Sequence, residues 1–130
     1  MSKTFDFLRE CGTFFLLTSS KGCPQGRPFG AIAEIDGNLC FSTSRVKKVY
    51  AQIRENPFIQ ITAIKPNSRS WIRISGFAFE QTSPEIRIRM MEAYPTLQMR
   101  FLGVNDENFV VFSVEDAEVE FHEESVTSII

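Results

Sequence analysis

Phe41-Ser42-Thr43-Ser44-Arg45-Val46-Lys47-Lys48-Val49-Tyr50-Ala51-Gln52-Ile53-Arg54-Glu55-Asn56-Pro57 is the stretch around which this chain is organised. It reads as a strand end, a hydroxyl-rich turn and an amphipathic helix. Leu39-Cys40-Phe41 is short and apolar. Val46, Val49, Tyr50 and Ile53 recur at i, i+3, i+4 and i+7, the spacing of one helix face. Ser44 is an expected N-cap and Asn56-Pro57 an expected stop. Free N–H groups, the hydroxyls of Ser42, Thr43 and Ser44, and the cations Arg45, Lys47 and Lys48 then gather at one helix start. Such a start suits an anion, most simply a phosphate. A solvated basic face on an ordinary helix is the plainer alternative.

Working outward, residues 2–11 share an apolar face through Phe5, Leu8 and Cys11, with Gly12 as the stop. Residues 13–19 are apolar on both sides and predict a strand buried on both faces. Residues 20–26 carry turn chemistry. Arg27 to Ile35 reads as one strand, folded back at Asp36-Gly37-Asn38 onto the strand that ends in Ser42-Thr43. That hairpin would place Arg27 to Gly30 beside the helix start, with Arg27 offering a fork-shaped donor to the phosphate. Pro28-Phe29-Gly30 would let backbone approach a flat ring.

Beyond the helix, residues 58–64 and 70–80 predict two strands. Trp71, Arg73 and Ser75 lie on one face of the second, and Gly76 marks a bulge or bend. Ser83-Pro84-Glu85 opens a helix that stops before Pro95. Gly103 to Asn108 reads as a loop. Residues 109–114 and 117–121 predict two strands joined by Glu115-Asp116, with a loose tail after them. The order lacks the regular βα alternation of a doubly wound sheet. It predicts a mainly β fold with inserted helices, a small antiparallel barrel with helices at its mouth.

The 130 residues suit a single domain, 1–130, with one core. Thirteen Phe imply a ring-filled core, or a face that stacks on a flat ligand or a second subunit. A net charge of −2 gives no case for nucleic acid. No apolar run spans a bilayer and no leader is seen, so no membrane partner is expected. Cys11, Cys23 and Cys40 form no CxxC pair and suggest free thiols in a cytoplasmic setting. His122 is the only histidine, which argues against a His-based metal site or a Ser-His-Asp triad. No Walker loop, GxGxxG, GxSxG or HExxH motif occurs. Paired acids such as Glu118/Glu120 read as a solvated edge. A cofactor site is what remains, and the residues identify no catalytic acid or base.

Arg27-Pro28-Phe29-Gly30, Phe41-Ser42-Thr43, Lys47-Lys48-Val49-Tyr50 with Ile53 and Asn56-Pro57, and Trp71-Ile72-Arg73-Ile74-Ser75-Gly76 follow one another in an order that resembles the pyridoxamine 5′-phosphate oxidase-like FMN-binding split barrels. The resemblance covers residues 10–121 and is greatest to the short branch of 5-nitroimidazole reductase-like proteins. It implies an antiparallel split β-barrel and a homodimer with FMN at the subunit interface. It implies that Arg27 to Gly30 run along the flavin and that Ser42 and Thr43, with Ser44, meet the phosphate or ribityl chain. Lys47 and Lys48 would hold the phosphate, with Arg45 a weaker match. Trp71 stands where the oxidases carry a flavin-contacting Gln; a core or dimer-interface aromatic is the equal alternative. The implied activity is a flavin-dependent reductase or oxidase acting on a small flat substrate. The family's C-terminal substrate-binding segment has no match, so oxidation of pyridoxamine phosphate is not expected. Three alternatives stay open: a non-catalytic flavin binder or electron carrier, a split barrel holding haem or a deazaflavin, and a scaffold whose Phe-rich face serves only dimerisation.

Overall fold

The computed structural model describes residues 2–123, and the tail expected at the C-terminus lies outside them. Helix α1 (Lys3–Cys11) starts at Ser2, whose side chain accepts the Phe5 N–H, and ends at Gly12, where φ is 79° and the N–H is donated to the Leu8 carbonyl. Seven strands follow: β1 (Phe14–Ser20), β2 (Cys23–Phe29), β3 (Ile32–Ile35), β4 (Asn38–Ser44), β5 (Phe58–Ile64), β6 (Trp71–Gln81) and β7 (Phe109–His122). Helix α2 (Lys48–Glu55) joins β4 to β5. Helix α3 (Pro84–Ala93) and a 3-10 helix (Pro95–Met99) lie between β6 and β7. The strands form one antiparallel sheet in the order β2-β1-β5-β6-β7-β4-β3. The sheet is not closed, and the fold is the split barrel expected.

Its two edges, β2 and β3, are consecutive in the chain, so the break at Gly30-Ala31 is where the split lies. This corrects the reading of Arg27 to Ile35 as one strand. Arg27 pairs with Leu16 of β1, and β4 pairs with Ile32 to Ile35 on one side and β7 on the other. The expected pairing of the Arg27 strand with Ser42-Thr43-Ser44 does not occur. The turn expected over residues 20–26 is shorter. Lys21 and Gly22 both have positive φ, which makes a two-residue hairpin turn, and Cys23 already belongs to β2. Asp36 and Gly37 repeat that chemistry between β3 and β4.

The barrel interior is filled by Phe14, Leu16, Phe41, Ile61, Ile72, Ile74 and Phe112, with Leu8 of α1 and Ile53 of α2 sealing its ends. Phe29 bridges the split, packing edge-on to Phe41 with ring centroids 5.8 Å apart and against Phe14 at 5.9 Å. Behind β3, β4 and β7 a second cluster joins Ile35, Cys40, Phe109 and Val111 to Met90, Met91 and Leu97. The outer face of β1, β5 and β6 has no such cover. Phe15, Phe58, Ile64, Phe77 and Phe79 are exposed there, so β1 is buried on one face only, against expectation.

Two further expectations are corrected. Ser44 ends β4 and does not cap α2; the cap position is Lys47, without a side-chain bond. Val46 lies in the intervening turn, 79% exposed, and the buried face of α2 is Val49, Tyr50, Gln52 and Ile53. The two terminal strands are one. Asp116 and Ala117 bulge opposite Gly76, between the pairs Ser75–Glu118 and Phe77–Glu115, with Asp116 at φ 52°. The glycine is required there: a Cβ would lie 2.8 Å from Val114 Cγ1 and 2.9 Å from the Glu115 carbonyl oxygen. Gly76 therefore marks the bulge that its place in the strand predicted. Among the described residues, no helix is long and apolar enough to cross a membrane.

Candidate cofactor site

A cleft of about 1060 Å³ opens at the split. One wall is the run from Gln25 to Ala31, across the end of β2 and the strand break. The facing wall is the end of β4 and the start of α2, with Ser42, Thr43, Ser44, Lys47, Lys48 and Val49. Leu97, Arg100 and Phe101 close a third side. The sheet thus brings Arg27 to Gly30 next to Ser42 to Lys48 by curling its edges together, where sequence reasoning had expected hairpin pairing. Nine of the ten expected site residues line this cleft: Arg27, Pro28, Phe29, Gly30, Ser42, Thr43, Ser44, Lys47 and Lys48. Trp71 does not. It begins β6 and stacks on His122 at 4.1 Å, away from the cleft of its own chain.

The charge of the lining is one-sided. Arg27, Lys47, Lys48 and Arg100 contribute cations, and among the described residues no Asp or Glu lines the cleft. Neither Lys47 nor Lys48 makes an ion pair among the described residues. Ser42 and Thr43 are buried, 7% and 8% exposed, and neither hydroxyl has a hydrogen-bond partner among the described residues. Buried hydroxyls are ordinarily paired, so these two are free to meet a bound molecule. Ser44 is partly engaged: its hydroxyl accepts the Val46 N–H at 3.4 Å and its carbonyl the Lys47 N–H at 3.0 Å. A Cβ at Gly30 would meet nothing within 4 Å, so the glycine leaves open space at the strand break. Phe29 turns its ring into the core, which leaves its backbone to the cleft.

Arg27 is held from behind. One terminal nitrogen donates to the Thr18 hydroxyl at 2.9 Å and the Leu16 carbonyl at 3.3 Å, and the other to Gln52 Oε1 at 2.8 Å. Burial lowers its pKa from the ordinary arginine value. Arg45, the weaker match for the phosphate, is used elsewhere. It donates to Tyr50 and to the Glu107 carbonyl at 2.8 Å and pairs with Glu80 at 3.1 Å, which fastens the turn before α2 to β6.

Sequence reasoning missed Gln25, Leu97, Arg100 and Phe101 in the lining and Gln52 behind it. Residues 96–108 carry no periodicity that would have placed Arg100. Gln52 did leave a signal, being a polar residue beside Ile53 on the apolar side of α2.

These features define a split barrel with an anion-accepting cleft at its split. The sequence profile of the pyridoxamine 5′-phosphate oxidase family matches residues 2–123, and the chain belongs to that family. A NimC/NimA family protein from Clostridium acetobutylicum is 30% identical, with 93% of this chain and 86% of that one covered and a TM-score of 0.88. General Stress Protein 26 from Bacillus anthracis is 17% identical over 92% and 95%, with a TM-score of 0.75. A pyridoxamine 5′-phosphate oxidase-related, FMN-binding protein from Nostoc punctiforme is 20% identical over 87% and 75%, with a TM-score of 0.72. The last two share the fold. Among curated proteins, none matches the sequence significantly.

Proposed function

We propose that the cleft binds FMN and that the protein is a flavin-dependent oxidoreductase acting on a small flat substrate. One observation carries the reading: Arg27, Lys47 and Lys48 converge with two buried hydroxyls in a cleft where, among the described residues, the hydroxyls have no partner and no carboxylate lines the wall. Membership of the family and the FMN-binding Nostoc neighbour support it. Lys47, Lys48 and Arg27 would hold the phosphate by charge-assisted hydrogen bonds. Ser42 and Thr43 would meet the phosphate or ribityl hydroxyls. The backbone of Pro28, Phe29 and Gly30 would border the ring, and Leu97 and Phe101 would exclude water from the opposite side. The bound flavin supplies hydride or electron exchange, chemistry that needs little from side chains.

A second copy of the chain fits the uncovered outer sheet face. Phe15, Phe58, Ile64, Phe77 and Phe79 form an apolar surface of the kind that marks association. In that dimer, Trp71 on the same face would border the partner's cleft. The haem alternative loses support, because His122, the only imidazole, stacks on Trp71 outside the cleft.

The test is a visible spectrum after FMN is added and the excess removed by gel filtration, with mass measured on the same column. The expected result is about one FMN per chain on a dimer, and nicotinamide-dependent turnover with a flat acceptor. Retained flavin without turnover would favour the carrier alternative. A folded protein without retained flavin would refute the reading.

A further inference from the structure

Four of the nine arginines of this chain pair with carboxylates among the described residues. Arg45 and Arg54 meet Glu80, Arg73 meets Glu120, and Arg89 meets Asp36 and Glu85. Arg27 and Arg87 instead spend their guanidinium on neutral groups: Arg87 on the carbonyls of Val104, Asp106 and Phe109, away from the cleft, and Arg27, in the cleft lining, on the Thr18 hydroxyl, the Leu16 carbonyl and the Gln52 side-chain amide. No carboxylate pairs with Arg27 among the described residues.

Gln52 is the hub of this arrangement. It is 9% exposed, on the inner side of α2. Its Oε1 accepts from Thr18 Oγ1 at 2.7 Å and from Arg27 at 2.8 Å, and its Nε2 donates to Gln25 Oε1 at 2.9 Å. The two acceptor sites of its oxygen are therefore used, and the amide fixes both the helix and the guanidinium. A carboxylate of the same size would accept the same two bonds. It would also pair with Arg27, a more favourable local contact than an amide makes. For stability alone, Glu would serve this position at least as well as Gln. What the amide preserves is a partly buried cation with its charge uncompensated, facing a cleft that no carboxylate lines among the described residues.

We propose that the neutral amide of Gln52 leaves Arg27 its full charge toward the ligand's phosphate, and that this neutrality of residue 52 sets the cleft's selectivity for a phosphorylated over an unphosphorylated flavin. The inference rests on the flavin reading above. Gln52 itself touches no ligand, because it does not line the cleft and acts through Arg27.

The test compares FMN with riboflavin, which has the same ring and no phosphate, by titration of flavin fluorescence on the folded full chain. Gln52→Glu is expected to weaken FMN by about tenfold or more, since the new carboxylate pairs with Arg27 at the position of the present 2.8 Å contact and cancels the charge it offers the phosphate. It should leave riboflavin within about twofold, and the melting temperature unchanged or raised, because the Gln25 amide can turn to donate to the new oxygen. Gln52→Met supplies a second variant without a buried carboxylate. Arg27 there keeps its charge and its bonds to Thr18 and Leu16, so FMN should stay within about threefold of the unaltered protein. In an Arg27→Met background, Gln52→Glu should have no further effect on FMN beyond about twofold. Equal loss of FMN and riboflavin with Gln52→Glu would overturn the proposal, as would equal loss of FMN with Gln52→Met. An unaltered protein that binds neither flavin would remove the flavin reading, and this inference with it. FMN binding that Gln52→Glu leaves unchanged would refute this inference alone.

Discussion

Reversing the charge at the start of α2 is the most direct challenge to the cleft's function. Lys47→Glu with Lys48→Glu replaces two exposed cations that make no ion pair among the described residues. The change therefore removes no internal contact, and the melting temperature should move little. Ligand binding should move a great deal. With a separation of about 5 Å and an effective dielectric of about 40, one pair of charges interacts by about 1.7 kcal/mol. Losing an attraction and gaining a repulsion at each site gives a sum well above that figure. Exposed side chains swing away and salt screens them, so the realised loss is smaller, about 1.5–3 kcal/mol, or ten- to a hundredfold in FMN affinity. Riboflavin should be unaffected, and the difference between the proteins should shrink as salt rises. Equilibrium dialysis at low and high salt reads all of this. Unchanged FMN affinity at low salt would place the phosphate elsewhere and refute the site.

Gly76→Ala should cost about 1–3 kcal/mol in urea denaturation, because the Glu115 carbonyl and the Ala117 Cα at 3.3 Å belong to backbone that cannot rotate away. Arg87→Met should cost about 2–3 kcal/mol, since its guanidinium donates to the carbonyls of Val104, Asp106 and Phe109 and holds the segment that follows the cleft's third side. A thiol reagent at pH 8 should modify one cysteine in the folded protein and three in denaturant. Cys23 is exposed, while burial raises the Cys11 pKa and pushes the Cys40 thiol up to about 11. Asp106 accepts the Leu102 and Asn108 N–H groups at 2.9 Å, which hold its pKa below the ordinary value. Its contribution to stability is present above the unfolded-state pKa and lost as pH falls through the lowered folded value. Amide exchange at Leu102 and Asn108, corrected for intrinsic rates, should therefore accelerate below about pH 4, and Asp106→Asn should abolish that dependence.

Local chemistry made much of the fold legible. Asp36-Gly37 marked a hairpin, Gly12 a helix end, and the alternation from Trp71 to Ser75 a half-covered strand. What escaped depended on contacts between distant segments. Arg27 and Ser42 meet because the sheet curls, and nothing in the intervening residues records that geometry. Asp116 looked like a turn because its positive φ serves turns and bulges equally; only the paired Gly76 decides between them. Phe15 looked buried because apolar composition does not distinguish a core from a face awaiting a partner.

The net charge of −2 conceals a segregation that bears on how an anion reaches the site. The acids of the outer half of β7, Asp116, Glu118 and Glu120, lie beside β6 and away from the split, whereas among the described residues the cleft lining holds four cations and no acid. A concave, one-signed lining concentrates the field where solvent screening is weakest. Bulk charge is therefore a poor guide to the partner of this chain, which on average would repel a phosphate. Arg27 gives the segregation its fixed point: Lys47 and Lys48 can move with their stems, but the guanidinium is held by Thr18, Leu16 and Gln52. Mobile cations draw an anion in and a fixed one sets where it stops. Arg27→Lys should consequently weaken FMN by several-fold even though the charge is kept, because three donors diverging from one nitrogen do not reproduce the planar spread with which the guanidinium reaches Thr18, Gln52 and the phosphate together. The assay is the same flavin titration, and FMN affinity equal to that of the unaltered protein would show that charge alone suffices at this position.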